Sequence, residues 1–315
     1  RWDRWAMWSG LVFLVLPFIP GIGQSINGAR IWIRIGPMSF QPAELSKVLL
    51  AVFFASYLVA NRDNLALAGR KVLWMSLPRA RHLGPLFIVW GVSICVLVLQ
   101  KDLGSSVLLF GLFVVVLYVA TDRPSWLLIG AALFLPAAWF AATHLNHVQQ
   151  RINGWLHATD NAVYNAAGGS WQLLTGMFGM STGGLMGAGW GKGSPTLVTF
   201  ANSDFIFASL GEELGLTGTL VLLMLYLVLI QRGLRTAVLL RDGFGKLLAV
   251  GLSFAVALQI FVVIGGVTRL IPLTGLTLPF LAYGGSSLIA NWIILALLLR
   301  LSDAARRPAT HAPRI

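Results

Sequence analysis

The stretch KLLAVGLSFAVALQIFVVIGGVT, residues 246–268, holds a single charge, Lys246, at its first position. Crossing the hydrocarbon of a bilayer takes about 20 mostly apolar residues as a helix. Similar runs fall at roughly 6–23, 41–60, 84–100, 104–120, 125–143, 204–231 and 284–301. Together they predict eight transmembrane helices. The expected fold class is therefore all-α: a polytopic transmembrane helix bundle forming a single domain over 1–315. Composition agrees, with 57% apolar and 11% charged residues. A soluble domain usually carries about 25% charged residues. Lipid, not water, is the solvent for most of this surface.

The net charge of +12 follows the membrane pattern. Of the 23 Lys and Arg residues, 16 fall on one set of connections, including Arg123, Arg232, Arg235, Arg241, Arg300, Arg306 and Arg307. The other side holds Arg30, Arg34, Lys47, Lys101, Arg151, Lys192 and Arg269. The richer side is cytoplasmic by the positive-inside rule. Both ends of the chain then face the cytoplasm, and 144–203 becomes a large extracellular loop. Trp8, Trp32, Trp74, Trp126, Trp155 and Trp292 lie near span ends, where amphipathic rings favour the interface. No basic stripe interleaved with aromatics stands apart from the spans, which argues against nucleic acid as a partner. The one cysteine, Cys95, excludes an intrachain disulfide. The chain opens on Arg1 without a signal-peptide pattern, and native sequence is expected to precede it.

Only 11 residues are acidic, and six of them fall on the outer side: Glu44, Asp102, Asp160, Asp204, Glu212 and Glu213. An ionised group at the centre of a span costs about 2.5–3.5 kcal/mol on insertion scales, so such charges need a reason. In Gln41-Pro42-Ala43-Glu44-Leu45-Ser46-Lys47, proline suits a first helical turn. Glu44 and Lys47 share a face of that helix. They form either a structural ion pair or part of a site. Asp204 follows Asn202-Ser203 and precedes an apolar run, so it sits at a helix start. It could cap that helix, or accept a proton from a hydroxyl in a polar cleft. Glu212 and Glu213 lie about 12–14 Å further along, where a buried structural network is the expectation.

The run Gly183-Gly184-Leu185-Met186-Gly187-Ala188-Gly189-Trp190-Gly191-Lys192-Gly193 lacks P-loop spacing. Its glycines and apolar residues predict an interfacial or re-entrant segment within the loop 144–203. His144 and His147 are three apart, with His157 beyond; an interfacial polar cluster is expected there rather than a metal site. Tyr283-Gly284-Gly285-Ser286-Ser287 opens the last span, and its hydroxyls and amides could hold a phosphate, with Arg269 adding charge.

Five of these stretches, in order, resemble motifs of the SEDS family, the RodA, FtsW and SpoVE glycosyltransferases of peptidoglycan. Asn27-Gly28-Ala29-Arg30 with Trp32 resembles the family's NGARRW loop, and residues 41–47 resemble QPSELAK. Gln100-Lys101-Asp102-Leu103-Gly104-Ser105 resembles QPDLGT. Asp204-Phe205-Ile206-Phe207-Ala208 with Gly211-Glu212-Glu213-Leu214-Gly215 resembles the DFIFA…GEELG block. Pro279-Phe280 with residues 283–287 resembles PFVSYGGSS. The contexts 201–204 and 266–275 look closer to the actinobacterial RodA branch than to FtsW. Ile31 stands where the pattern has a second arginine, and Lys101 where it has proline.

The resemblance implies ten spans in a full-length chain. It also implies glycan-strand polymerisation from lipid II at the outer face of the bacterial cell membrane, in cell elongation or division and the control of cell shape. It makes Asp204 the general base, with Glu44 and Lys47 as its catalytic companions. Arg30, Lys101, Asp102, Arg269, Ser286 and Ser287 become substrate-binding candidates around a pyrophosphate. A divalent cation, Mg or Mn, would suit that leaving group; no protein metal ligand is assigned. A class B penicillin-binding protein is the implied partner, with membrane lipids around the bundle. Two other readings stay open: a lipid II flippase, suited by many spans and intramembrane charges, and a non-catalytic scaffold for the penicillin-binding protein.

Overall fold

The computed structural model describes residues 2–61 and 71–307, apart from 27, 37, 73, 74, 77–79 and 167. Asn27 of the loop motif, Trp74, and Arg1, Arg62, Arg70, Arg79 and Arg314 of the charge pattern lie outside the described residues. Helices account for most of the chain. They are α1 (Trp2–Val15), α2 (Pro42–Ala60), α3 (Ala80–Leu99), α4 (Leu103–Thr121), α5 (Ser125–His144), α6 (Asn146–Leu156), α7 (Asn161–Tyr164), α8 (Trp171–Gly183), α9 (Ile206–Leu239), α10 (Gly243–Val267) and α11 (Gly285–Arg306). Six of them, α2, α4, α5, α9, α10 and α11, are long and apolar enough to cross a membrane.

The ends of these helices follow from their residues. Pro42 opens α2, where its missing N–H costs nothing. Asp102 caps α4 by accepting from the Ser105 amide at 2.9 Å, and Asp242 caps α10 through the Gly245 amide at 2.8 Å. Helix α10 is apolar on every side and is buried between α2, α4 and α9. A helix hydrophobic all round belongs inside. Glycines let its neighbours approach: a Cβ on Gly251 would lie 3.0 Å from Val116, and one on Gly111 would lie 2.6 Å from Leu258. Small residues at such crossings favour helix packing in lipid. By contrast α5 exposes Leu128, Leu135, Trp139 and Phe140 and packs mainly beside α4 and α6.

Three features depart from the pattern expected of the sequence. First, the opening helix stops at Val15 rather than near residue 23. A 3₁₀ turn, Leu16–Phe18, and Pro17 and Pro20 follow, and proline cannot continue the ladder. Second, an antiparallel sheet, β1 (Gly23–Ile26), β2 (Ala29–Ile35) and β3 (Met38–Phe40), occupies the connection to α2. Third, Trp126 is a core residue, 5% exposed and packed near Phe87, not an interfacial anchor. Trp8 and Trp292 do lie exposed at helix flanks.

Helix α9 is broken at Gly215, whose φ of 67° and ψ of −169° suit glycine alone. The glycine-rich segment after α8 docks into the break. Ala188 and Gly189 amides donate to the carbonyls of Glu212 and Glu213, at 2.9 and 3.0 Å. Leu216 and Thr217 amides donate to the carbonyls of Gly184 and Leu185, at 2.9 and 3.1 Å. Buried Glu212 accepts from the Ser194 amide at 2.9 Å. The loop thus repairs the ladder that the break opens.

This predicts a graded response to alanine. At Gly187 a Cβ would sit 2.1 Å from the Glu213 carbonyl oxygen, at φ +83°. Gly187→Ala should cost about 2 kcal/mol or more. Gly191, at φ +70°, faces open space, so Gly191→Ala should cost only the backbone strain, about 1 kcal/mol. Thermal unfolding of the two variants in detergent gives the comparison.

Candidate functional site

The first turn of α2 sets the centre of the site. Lys47 Nζ lies 2.6 Å from Glu44 Oε2 and donates to Gln259 Oε1 of α10 at 2.8 Å. Their side chains are 10% and 3% exposed for Lys47 and Glu44. Gln259 in turn donates to the Thr277 carbonyl at 2.8 Å, and the Thr277 hydroxyl donates to Ser287 Oγ at 2.8 Å. Asn291 of α11 donates to the Ser287 carbonyl at 2.8 Å. One polar chain therefore runs from α2 through α10 and the segment 276–284 into α11. Buried networks of this kind are strong when their members are paired.

Asp102 lies beside this chain, in the turn between α3 and α4. Gln41 donates to it at 3.3 Å. Burial raises its pKa; the Ser105 amide opposes that, Glu44 adds to it, and Arg151 opposes it. The adjacent Lys101 takes a left-handed φ of 62° and is exposed. The Arg30 amide donates to the Gln100 carbonyl at 3.2 Å, so the small sheet brings Arg30 to the same turn.

Asp204 occupies the turn just before α9. The expected cap is not made: Phe205 holds the N-cap position and no side chain caps the helix. The carboxylate is left free to face a cavity of about 220 Å³, lined by Arg151, Trp155, Gln172, Phe200 and Gly275 among others. Burial pushes its pKa up to about 6, against the opposing pull of Arg151 and a hydrogen bond from Ser203. Arg151 of α6 is anchored by donating to the carbonyls of Leu273 and Thr274, at 3.2 and 2.7 Å. Its charge acts on both Asp102 and Asp204. A Cβ on Gly275, at φ +75°, would stand 3.6 Å from Arg151 Nη2 and 3.9 Å from Asp204 Oδ2. Glycine there keeps the space between the two groups open.

Other candidates fall elsewhere. Arg269 donates to the carbonyls of Trp155 and Leu156, at 2.9 and 3.1 Å, and its own carbonyl accepts from Trp155 Nε1. It clamps the C-terminus of α6, where a cation also suits the helix dipole. Ser286 and Ser287 are buried, 3% and 5% exposed, with Ser287 engaged by Thr277 and Asn291 as above. His157 lies 3.6 Å from Asp160, and His144 stacks on Phe140. Among the described residues no three His, Cys, Asp or Glu side chains gather to hold a metal. The positive charge here comes from Lys47 and Arg151. Arg151, Gln259, Thr277 and Asn291 were not marked as site residues by the sequence. A polar residue inside an apolar span, such as Gln259 or Asn291, is a signal that could have found two of them.

A bundle with six helices long and apolar enough to cross a membrane, and a buried polar cluster at one end, defines an integral membrane protein. The chain belongs to the FtsW/RodA/SpoVE cell cycle protein family, whose pattern it matches over residues 1–307. It is 50% identical over 307 residues to the peptidoglycan glycosyltransferase RodA of Mycobacterium tuberculosis, covering 97% of this chain and 65% of that protein. To the RodA of Mycobacterium leprae it is 48% identical over 310 residues, covering 98% of this chain and 66% of that protein. The probable peptidoglycan glycosyltransferase FtsW of Geobacter metallireducens is 34% identical over 294 residues, with 93% and 74% covered. This chain thus spans 65% of the length of the Mycobacterium tuberculosis relative. Among solved structures, a peptidoglycan synthase complex that coordinates polymerization and crosslinking matches with TM-score 0.74 and 27% identity, over 97% of this chain and 82% of that one. The rod shape determining protein RodA of Thermus thermophilus matches with TM-score 0.64 and 25% identity, over 97% and 79%.

Removing one member of the buried pair should cost more than removing both. Lys47→Met leaves Glu44 without its cation and should destabilise by about 3–5 kcal/mol. Adding Glu44→Gln to it should recover a large part of that loss. Melting temperatures of the three proteins in one detergent decide the matter.

Proposed function

We propose that this chain forms the catalytic membrane domain of a peptidoglycan polymerase. It transfers a growing lipid-linked glycan onto lipid II at the extracellular face of the cell membrane. The observation that carries this reading is Asp204: an uncapped carboxylate with a pKa near 6, beside an anchored arginine, facing a cavity. The names of the relatives supply the substrate class, and the charge asymmetry supplies the side. Gln150, Trp155, Gln172 and Phe200, within 144–203, line the cavity.

In this mechanism Asp204 takes the proton of the 4-hydroxyl of lipid II as the oxygen attacks the anomeric carbon of the donor. The bond from that carbon to undecaprenyl pyrophosphate breaks, and the pyrophosphate leaves with the electron pair. Attack opposite the leaving group inverts an α-linked donor to a β-linked product. A positioned base supplies about 10²–10⁴-fold in rate. Lys47 and Arg151, with Arg30 and Lys101 at the rim, supply positive charge where negative charge develops on the leaving group. Glu44 orients Lys47, and Asp102, held by Gln41, balances the charge of Arg151. Arg269 acts through α6, which carries Arg151. A class B penicillin-binding protein is the partner that would crosslink the product.

Labelled lipid II incubated with the membrane-folded protein, with and without a matching class B penicillin-binding protein, should give a ladder of glycan strands on a gel. Asp204→Ala should give none; a normal ladder from that variant removes Asp204 from the reaction. Flipping or scaffolding without chemistry would leave no ladder in any sample. The rate should also follow the ionised fraction of Asp204. Below pH 6 it should fall about tenfold per pH unit, as expected of a general base. Arg151 holds the Asp204 pKa down, so Arg151→Gln should move this acid limb to higher pH. An unmoved limb in the pH–rate profile would separate Arg151 from the base.

A further inference from the structure

At the end of the bundle opposite Asp204, α9 and α11 diverge around a crevice of about 480 Å³. Leu229 and Leu239 of α9 face Leu295, Leu298 and Leu299 of α11 across it. Toward the helix ends, Arg232 and Arg235 enter from α9 and Arg306 from α11, beside Thr236 and Ser302. No acidic side chain lines the crevice. The nearest carboxylate in sequence, Asp303, is paired with Arg300 and Arg307, at 3.3 and 2.6 Å. Among the described residues, Arg232, Arg235 and Arg306 have no ion-pair partner. All three are exposed.

Gly233 lines the crevice on α9. It sits so near α10 that a Cβ on it would fall 2.1 Å from Ser253 Oγ, and 3.6 Å from Leu298 of α11. Glycine here holds α9 close to α10. The residues Leu229, Arg232, Gly233, Thr236 recur at helical spacing on α9, as do Leu295, Leu298, Leu299, Ser302 and Arg306 on α11. The α11 wall grades from leucine to arginine along one face, whereas on α9 Arg232 and Arg235 stand between Leu229 and Leu239.

We propose that this crevice binds one anionic phospholipid of the cytoplasmic leaflet. Its phosphate lies among Arg232, Arg235 and Arg306, and an acyl chain lies on the leucines. Three guanidiniums without carboxylates match a phosphate diester, whose oxygens suit arginine's planar donors. The Thr236 hydroxyl already donates to the Arg232 carbonyl at 2.9 Å, and the Ser302 hydroxyl can donate to a headgroup. The apolar half distinguishes a lipid from a free phosphate, which leaves the leucines unsatisfied. The level also fits. The arginines end two spanning helices on the basic side, where anionic lipids concentrate and basic clusters attract them.

The test uses the full-length protein, purified in mild detergent and examined by native mass spectrometry with phosphatidylglycerol or phosphatidylcholine added. One tightly retained phosphatidylglycerol is expected, with about tenfold weaker retention of phosphatidylcholine. Arg232→Gln/Arg235→Gln/Arg306→Gln should lose that lipid, while the corresponding triple lysine variant keeps it. The lysine variant guards against a folding failure, as does glycan synthesis, which neither variant should change. Equal retention by the glutamine variant overturns the proposal, as does an absence of preference between the two lipids. Full displacement by millimolar inorganic phosphate assigns the site to a free anion instead. In a Cys95→Ala background, resistance of Leu299→Cys to a small maleimide in lipid-free protein shows another protein segment covering the crevice, and overturns the proposal as well.

Discussion

A buried ammonium and carboxylate, Lys47 and Glu44, 2.6 Å apart on one turn of α2, set the terms for the rest of the molecule. Neither charge can be left alone away from water. Their mutual attraction offsets desolvation only when further hydrogen bonds complete the pair. Gln259 provides one from α10. Its other end must then be satisfied in turn, and it reaches the Thr277 carbonyl. Ser287 and Asn291 continue the chain into α11. The demand to pair one ion pair is thus passed from helix to helix until four elements are fixed relative to each other.

The polar end of the bundle is a balance of signs built on that frame. Glu44, Asp102 and Asp204 approach from three elements, and Lys47 and Arg151 stand among them. Arg151 is held by two backbone carbonyls rather than by a carboxylate. Its charge remains available to both aspartates. Burial and the guanidinium pull the Asp204 pKa in opposite directions, and burial prevails. The outcome is a carboxyl whose pKa stands at about 6. Arg269 contributes at one remove by fixing the end of the helix that carries Arg151.

Much of this was legible in one dimension because it is local. The apolar runs located the helices, the i,i+3 spacing paired Glu44 with Lys47, and Asp204 was read at a helix start. The sheet at 23–40 carried its own signal, since Arg30-Ile31-Trp32-Ile33-Arg34 alternates with period two. What stayed hidden depends on distance in space. Arg151 reads as an ordinary loop cation until the segment 273–274 is folded beneath it. Arg269 reads as a phosphate ligand until Trp155 and Leu156 turn their carbonyls toward it. The missing cap at Asp204 is equally invisible, because capping is a matter of side-chain geometry and the residue type suits both roles.

The break at Gly215 also bears on how the protein is made. Residues 184–189 leave the ribosome before residues 212–217, which hold their hydrogen-bonding partners. During that interval the glycine-rich segment has four backbone groups without their final mates. It must wait in water or against another factor, since lipid cannot satisfy them. The glycine-rich segment therefore docks only after the first turns of α9 have emerged and bent. A chain halted between these points would carry every residue of the Lys47 and Arg151 elements except their later partners, and would have no finished cavity. Completion of the Asp204 cavity is in this sense a late step of biosynthesis, since Leu273 and Gly275 of its lining follow α10 in the chain.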